Sequence, residues 1–141
     1  MKTQQQGFTL IELIVVIVIL GILAATALPR FVNLGTEARG AAVEGIAGSL
    51  RGAVNLAQAK YLAVGSTSAT SVDFNGTTVA VTAGSGLPTG ASGGIGNAVQ
   101  LDGVTANYAA TSTFRPAGGG ATCQAEYVEA TGVVTSVKGG C

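Results

Sequence analysis

The sequence predicts an α+β fold, a long N-terminal helix followed by an antiparallel β-sheet, and three observations carry that prediction. An apolar run of twenty-one residues, Phe8 to Leu28, is interrupted by one charge, Glu12. Behind it, Val43, Ile46, Ala47, Leu50, Ala53, Val54, Ala57 and Tyr61 recur at helical spacing. The remainder, Gly65 to Cys141, holds 15 of the 22 glycines and alternates β-branched runs with turn signals.

Composition narrows the function classes. Seven Lys plus Arg balance seven Asp plus Glu, and the mean hydropathy is +0.51. Such a chain is neither disordered nor a basic nucleic-acid binder. It contains no His, and Glu37, Glu44, Asp73, Asp102, Glu126 and Glu129 form no acid–base motif, so the reading is no enzyme, no catalytic residue and no cofactor. Asp73 and Asp102 sit at turns, where geometry explains an acid without calcium, and no metal ligand set is assigned.

The first element is the apolar run, which spans roughly 31 Å as a helix, enough to cross a hydrocarbon core. Lys2 before it and Arg30 after it nearly balance, so flanking charge fixes its orientation poorly. One reading is a removable secretory signal, with Ala25-Thr26-Ala27 as the cleavage site before Leu28. Against it stands Glu12, because a carboxylate deep in an apolar segment costs about 2.5 to 3.5 kcal/mol. The other reading cuts the chain after Gly7. A new amino group on Phe8 would then lie one helical turn from the Glu12 carboxylate, which is itself favoured at the positive end of the helix dipole.

Pro29 lacks an N–H and clashes with the carbonyl of Ala25, so a kink or local opening is expected there, with Gly21 weakening the same stretch. Residues 30 to 64 continue as an amphipathic helix, with Glu37, Glu44, Arg51, Asn55 and Gln58 off the apolar stripe and facing water or a neighbour. One helix from Phe8 to about Val64 would be roughly 85 Å long. Gly48 and Gly52 form a small-xxx-small pair suited to close backbone approach; compositional drift explains them equally well.

In residues 65 to 141, Ser71 to Phe74 and Thr77 to Thr82 flank Asn75-Gly76, the strongest two-residue hairpin signal. Asn75 also begins an N-x-T acceptor triplet, which the turn explains without a glycan. A second hairpin is expected from Val99–Leu101 and Val104–Tyr108 about Asp102-Gly103. Ala83 to Asn97 reads as a Gly/Ser-rich surface loop, solvent-facing or between subunits. Thr122 to Val128 and Val133 to Val137 form the last hairpin, its turn near Thr131-Gly132. Cys123 and Cys141 flank it, and without His the economical reading is a disulfide, which places this part in an oxidising compartment.

The run Gly7-Phe8-Thr9-Leu10-Ile11-Glu12, continued by an apolar helix to Pro29, resembles the class III signal of type IV prepilins and type II secretion pseudopilins. The resemblance implies cleavage after Gly7 by a prepilin peptidase on the cytoplasmic face and N-methylation of Phe8. It implies that Thr9 and Glu12 act in assembly, with Glu12 meeting the Phe8 amine of an adjacent subunit. In that family the positions matching Gly21 and Pro29 bracket helix that loses regularity in the filament, an extensible segment as opposed to a plain kink.

The implied organisation is a ladle. Residues 1–7 are a cleaved leader, and 8–29 form the protruding transmembrane and filament-core helix. Residues 30–64 continue it against a sheet domain, 65–141. The implied partners are copies of the chain itself, the peptidase and pilus assembly machinery. The precursor sits in the inner membrane before assembly, and the filament lies outside the cell.

A disulfide-closed C-terminal hairpin is more similar to type IV pilins than to pseudopilins, which generally lack the bond. The segments Ala27 to Leu34 and Cys123 to Gly132 resemble the mannose-sensitive haemagglutinin (MSHA) group, implying a pilin of attachment and biofilm formation. A secretion pseudopilin and an exported soluble binding domain stand as the alternatives.

Overall fold

A computed structural model describes residues 7–141, with the side chains of 28–33 outside the description. Nearly all of the expected leader and the Pro29 side chain therefore lie outside the described residues. The chain divides into two compact units, Met1–Thr36 and Glu37–Cys141. Helix α1, Leu10–Val64, contributes to both.

Within the first unit, Leu10–Ala27 of α1 is apolar on nearly every side and, among the described residues, none of it is buried. Leu10, Leu13, Ile17 and Leu20 are all exposed, as are Ile11, Ile14 and Val15 between them. A helix apolar all round requires surroundings as apolar as itself.

Within the second unit, the eight residues of the predicted stripe, from Val43 to Tyr61, are all buried. Four antiparallel strands in sequential order cover the middle of this stripe: β3 (Val104–Asn107), β4 (Thr111–Pro116), β5 (Gln124–Val128) and β6 (Val133–Val137). Their inward positions place Phe114, Ala125, Tyr127 and Val134 against Val43, Ile46, Ala47, Leu50 and Val54. A separate hairpin, β1 (Ser71–Phe74) with β2 (Thr77–Ala80), sets Val72 and Val79 against Ala57 and Tyr61. Two sheets thus stand where one was expected. Burial of this alternating set against one helix face supplies the driving force for both.

The Asn75-Gly76 hairpin forms as predicted. Phe74 pairs with Thr77, and both turn residues have positive φ, 52° and 88°, the geometry that matches strand twist. The C-terminal hairpin also forms, with Gln124 opposite Val137 and Val128 opposite Val133.

The second predicted hairpin does not form. Val99–Leu101 is not a strand; Asp102-Gly103 is a turn leading into β3, which pairs with β4 instead. A three-residue arm offers few ladder bonds, whereas Thr111–Pro116 buries Ser112, Phe114 and Pro116 in strict alternation. The β3–β4 connection, Tyr108-Ala109-Ala110, carries no Gly, Asn or Pro and gave no turn signal.

The Gly/Ser-rich segment Ala83 to Asn97 is a second correction, since much of it is interior. Gly86, Leu87, Pro88, Gly90, Gly94 and Ile95 are buried, and Ser92–Gly96 makes a single π-helical turn. Glycine serves close packing here. A Cβ on Gly90 would collide with the carbonyl oxygen of Ala109, and one on Gly94 with that of Thr89.

Candidate functional site

The N-terminal segment brings Phe8, Thr9 and Glu12 together at the start of α1. Thr9 is the cap. Its hydroxyl accepts the Glu12 N–H at 3.3 Å, while its own N–H and hydroxyl donate to Glu12 Oε2 at 2.8 and 2.6 Å. This reciprocal capping box satisfies N–H groups that the first turn leaves unpaired. It explains why the helix begins at Leu10, although apolar character begins at Phe8. Gly7 and Phe8 precede the cap in non-helical backbone, and Phe8 is 91% exposed. Among the described residues no cation meets Glu12, whose partner is Thr9. The T-x-x-E spacing signals this partnership, and the sequence reading passed over it.

Beyond the cap, Leu10–Ala27 has a mean hydropathy of 2.8 and none of it is buried. By length and composition it is long and apolar enough to cross a membrane. The hydroxyl of Thr26 donates to the Leu23 carbonyl at 3.0 Å, so the one other polar side chain in the stretch is satisfied internally. Gly21 is exposed, and a Cβ there would meet nothing within 4 Å. Helix α1 continues through position 29.

In the second unit, Cys123 and Cys141 are joined, with a sequence separation of 18. Three helix side chains hold the strand that leads to this bond. Arg51 donates to the Val134 carbonyl at 3.2 Å, and Arg39 donates to the Cys141 carbonyl at 2.7 Å. Glu44 pairs with Lys138 at 2.6 Å and accepts the Ser136 hydroxyl at 3.0 Å. The Lys138 hydrogen bond, then that of Ser136, holds the Glu44 carboxyl below the usual carboxylate range. Glu44 and Arg51, read from the sequence as facing water or a neighbour, are exposed and in addition bond β6 and the residue after it to the helix.

The buried segment has its own polar supports, none legible in the sequence. The Tyr127 hydroxyl donates to the Pro88 carbonyl at 2.6 Å. Glu129 accepts the Gly90 N–H at 2.8 Å, and the Ser112 hydroxyl lies 2.9 Å from the Gly90 carbonyl. Burial, with the Glu129 charge adding to it, pushes the Tyr127 phenol up to about 12.

Residues 2–28 match the family model described as the prokaryotic N-terminal methylation motif. The chain is 54% identical over 52 residues to the type IV narrow pilus major component PilA5 of Thermus thermophilus, a stretch covering 37% of this chain and 45% of that protein. It is 44% identical over 54 residues to the type IV major fimbrial protein FimA of Dichelobacter nodosus, covering 38% and 35%. It is 56% identical over 39 residues to the type IV major pilin protein PilE1 of Neisseria gonorrhoeae, covering 28% and 24%. The chain therefore spans less than half the length of these curated relatives. No solved structure matches it significantly.

Proposed function

We propose that the chain is a type IV major pilin, a structural subunit that polymerises through α1 into a surface filament. The observation that supports this most is the uncovered apolar helix Leu10–Ala27 with one acid, Glu12, set beside an exposed Gly7–Phe8 bond. In the membrane-held precursor, Glu12 is satisfied by Thr9. Cleavage by a prepilin peptidase after Gly7, with N-methylation of Phe8, puts a cation within reach of that carboxylate. Assembly then exchanges the Thr9 contacts for the Phe8 amine of an adjacent subunit, so that a buried acid and a buried amine neutralise each other. Gly21 and Pro29 bracket the stretch that loosens in the filament, and Gly48 and Gly52 admit a neighbouring helix.

The disulfide supports a pilin over a secretion pseudopilin, and supports an oxidising compartment beyond the cytoplasm for residues 37–141. Attachment and biofilm formation, in the manner of the MSHA group, is the role proposed for the filament. The test is intact mass and N-terminal sequence of protein taken from its native cell surface. A chain that begins at N-methylated Phe8 and lacks two hydrogens is expected. A chain that begins at Leu28 would instead mean an exported domain freed of an ordinary signal, and the filament reading would be lost.

A further inference from the structure

Asn75-Gly76 is the one Asn-Gly pair in the chain; Asn33, Asn55, Asn97 and Asn107 precede Leu34, Leu56, Ala98 and Tyr108. A following glycine matters because its amide nitrogen reaches the asparagine Cγ without a Cβ in the way. Asn75 stands exposed at the tip of the β1–β2 hairpin, and no hydrogen-bond partner of its side chain is found among the described residues. The nitrogen that would attack it, however, is occupied. The Gly76 N–H points at the Asp73 carboxylate, 3.1 and 3.0 Å from its two oxygens. Ring closure requires that nitrogen to lose its proton. A carboxylate receiving the N–H holds the proton in place, and its charge opposes the amide anion that must form. The Phe74–Thr77 pairing and the positive φ of both turn residues fix this arrangement.

We propose that Asn75-Gly76 is a site of spontaneous deamidation in this protein and that Asp73 sets its rate by occupying the Gly76 N–H. The Gly76 nitrogen gives its proton to hydroxide and bonds to Cγ of Asn75. The Cγ–Nδ2 bond breaks, and Nδ2 leaves as ammonia after taking a proton from water. Water then opens the cyclic imide at either carbonyl, leaving aspartate or isoaspartate at position 75. No oxidant or reductant takes part. Isoaspartate lengthens the backbone by a methylene at the turn and disturbs the pairing that places Val72 and Val79 on Ala57 and Tyr61. Position 75 is thereby a clock within the β1–β2 hairpin, whether or not the protein forms a filament.

The test holds the full chain, folded in detergent with its disulfide intact, at mildly alkaline pH and follows the peptide containing position 75 by mass. A gain of one mass unit reports deamidation and separates it from isomerisation at Asp102-Gly103. Asp73→Ala is expected to accumulate product at least about tenfold faster than the wild-type chain, the factor at the lower end for one hydrogen bond to a charged group. Asp73→Asn, which keeps an acceptor and loses the charge, is expected between the two. In urea, where the contact is absent, the wild-type and Asp73→Ala rates should converge. Equal rates in the folded proteins, a difference that persists in urea, or no product at position 75 in any of them would overturn the proposal.

Discussion

Tyr127 offers a quantitative check on how the glycine-rich segment is held. It is fully buried on β5, and its hydroxyl donates to the Pro88 carbonyl at 2.6 Å, tying residues 87–90 to the sheet. Tyr127→Phe keeps the ring and leaves the carbonyl without its partner, a change that costs about 1 to 3 kcal/mol. For a unit of this size that lowers the melting temperature by roughly 5 to 15 °C. A second, independent magnitude follows from pH. The folded phenol ionises near 12, above the ordinary value of about 10, so the unfolded chain loses this proton first as pH rises. The contribution is fully present below pH ~10 and is lost as pH climbs toward ~12, amounting to about 2 to 3 kcal/mol. Denaturant titrations of the full chain in detergent, followed by circular dichroism at neutral pH and across this alkaline window, measure both. The wild-type chain should lose stability between the two values, while Tyr127→Phe starts lower and loses less. A variant as stable as wild type, with the same alkaline slope, would refute the assignment of this hydrogen bond.

Three further outcomes are expected. Glu12→Val should insert into membranes as well as or better than wild type, since it removes a penalty of about 2.5 to 3.5 kcal/mol, yet fail to yield filaments by electron microscopy; normal filaments would remove the charge-pairing role. Replacing Cys123 and Cys141 together by Ala should cost about 3 kcal/mol in chemical denaturation, the loop-closure value for a separation of 18, with the C-terminal hairpin the first region to exchange its amide hydrogens. Gly48→Ala and Gly52→Ala meet open space, so each should raise the stability of the unassembled chain by about 1 kcal/mol; filament yield should nevertheless fall if a neighbouring helix packs there.

The sequence by itself determined whatever rests on near neighbours. The stripe from Val43 to Tyr61 announced the buried helix face because helical period is written into every turn. Asn75-Gly76 announced a hairpin because the mirror-image turn needs two residues that tolerate positive φ, and the one cysteine pair announced the disulfide. The Thr9–Glu12 capping box is equally local, written in the T-x-x-E spacing. Thr9 and Glu12 lie three residues apart, so this contact does not depend on the rest of the fold.

Tertiary structure decided what depends on distant partners. Val104–Asn107 chose Thr111–Pro116 over the nearer Val99–Leu101 because the longer arm could bury alternate residues against the helix. Gly86, Leu87, Pro88, Gly90, Gly94 and Ile95 went inside because Tyr127, Glu129 and Ser112, between 22 and 39 residues beyond the groups they bond, supply hydrogen-bond partners for the backbone at Pro88 and Gly90. Without those partners a glycine-rich backbone belongs in water, and composition alone reads it that way.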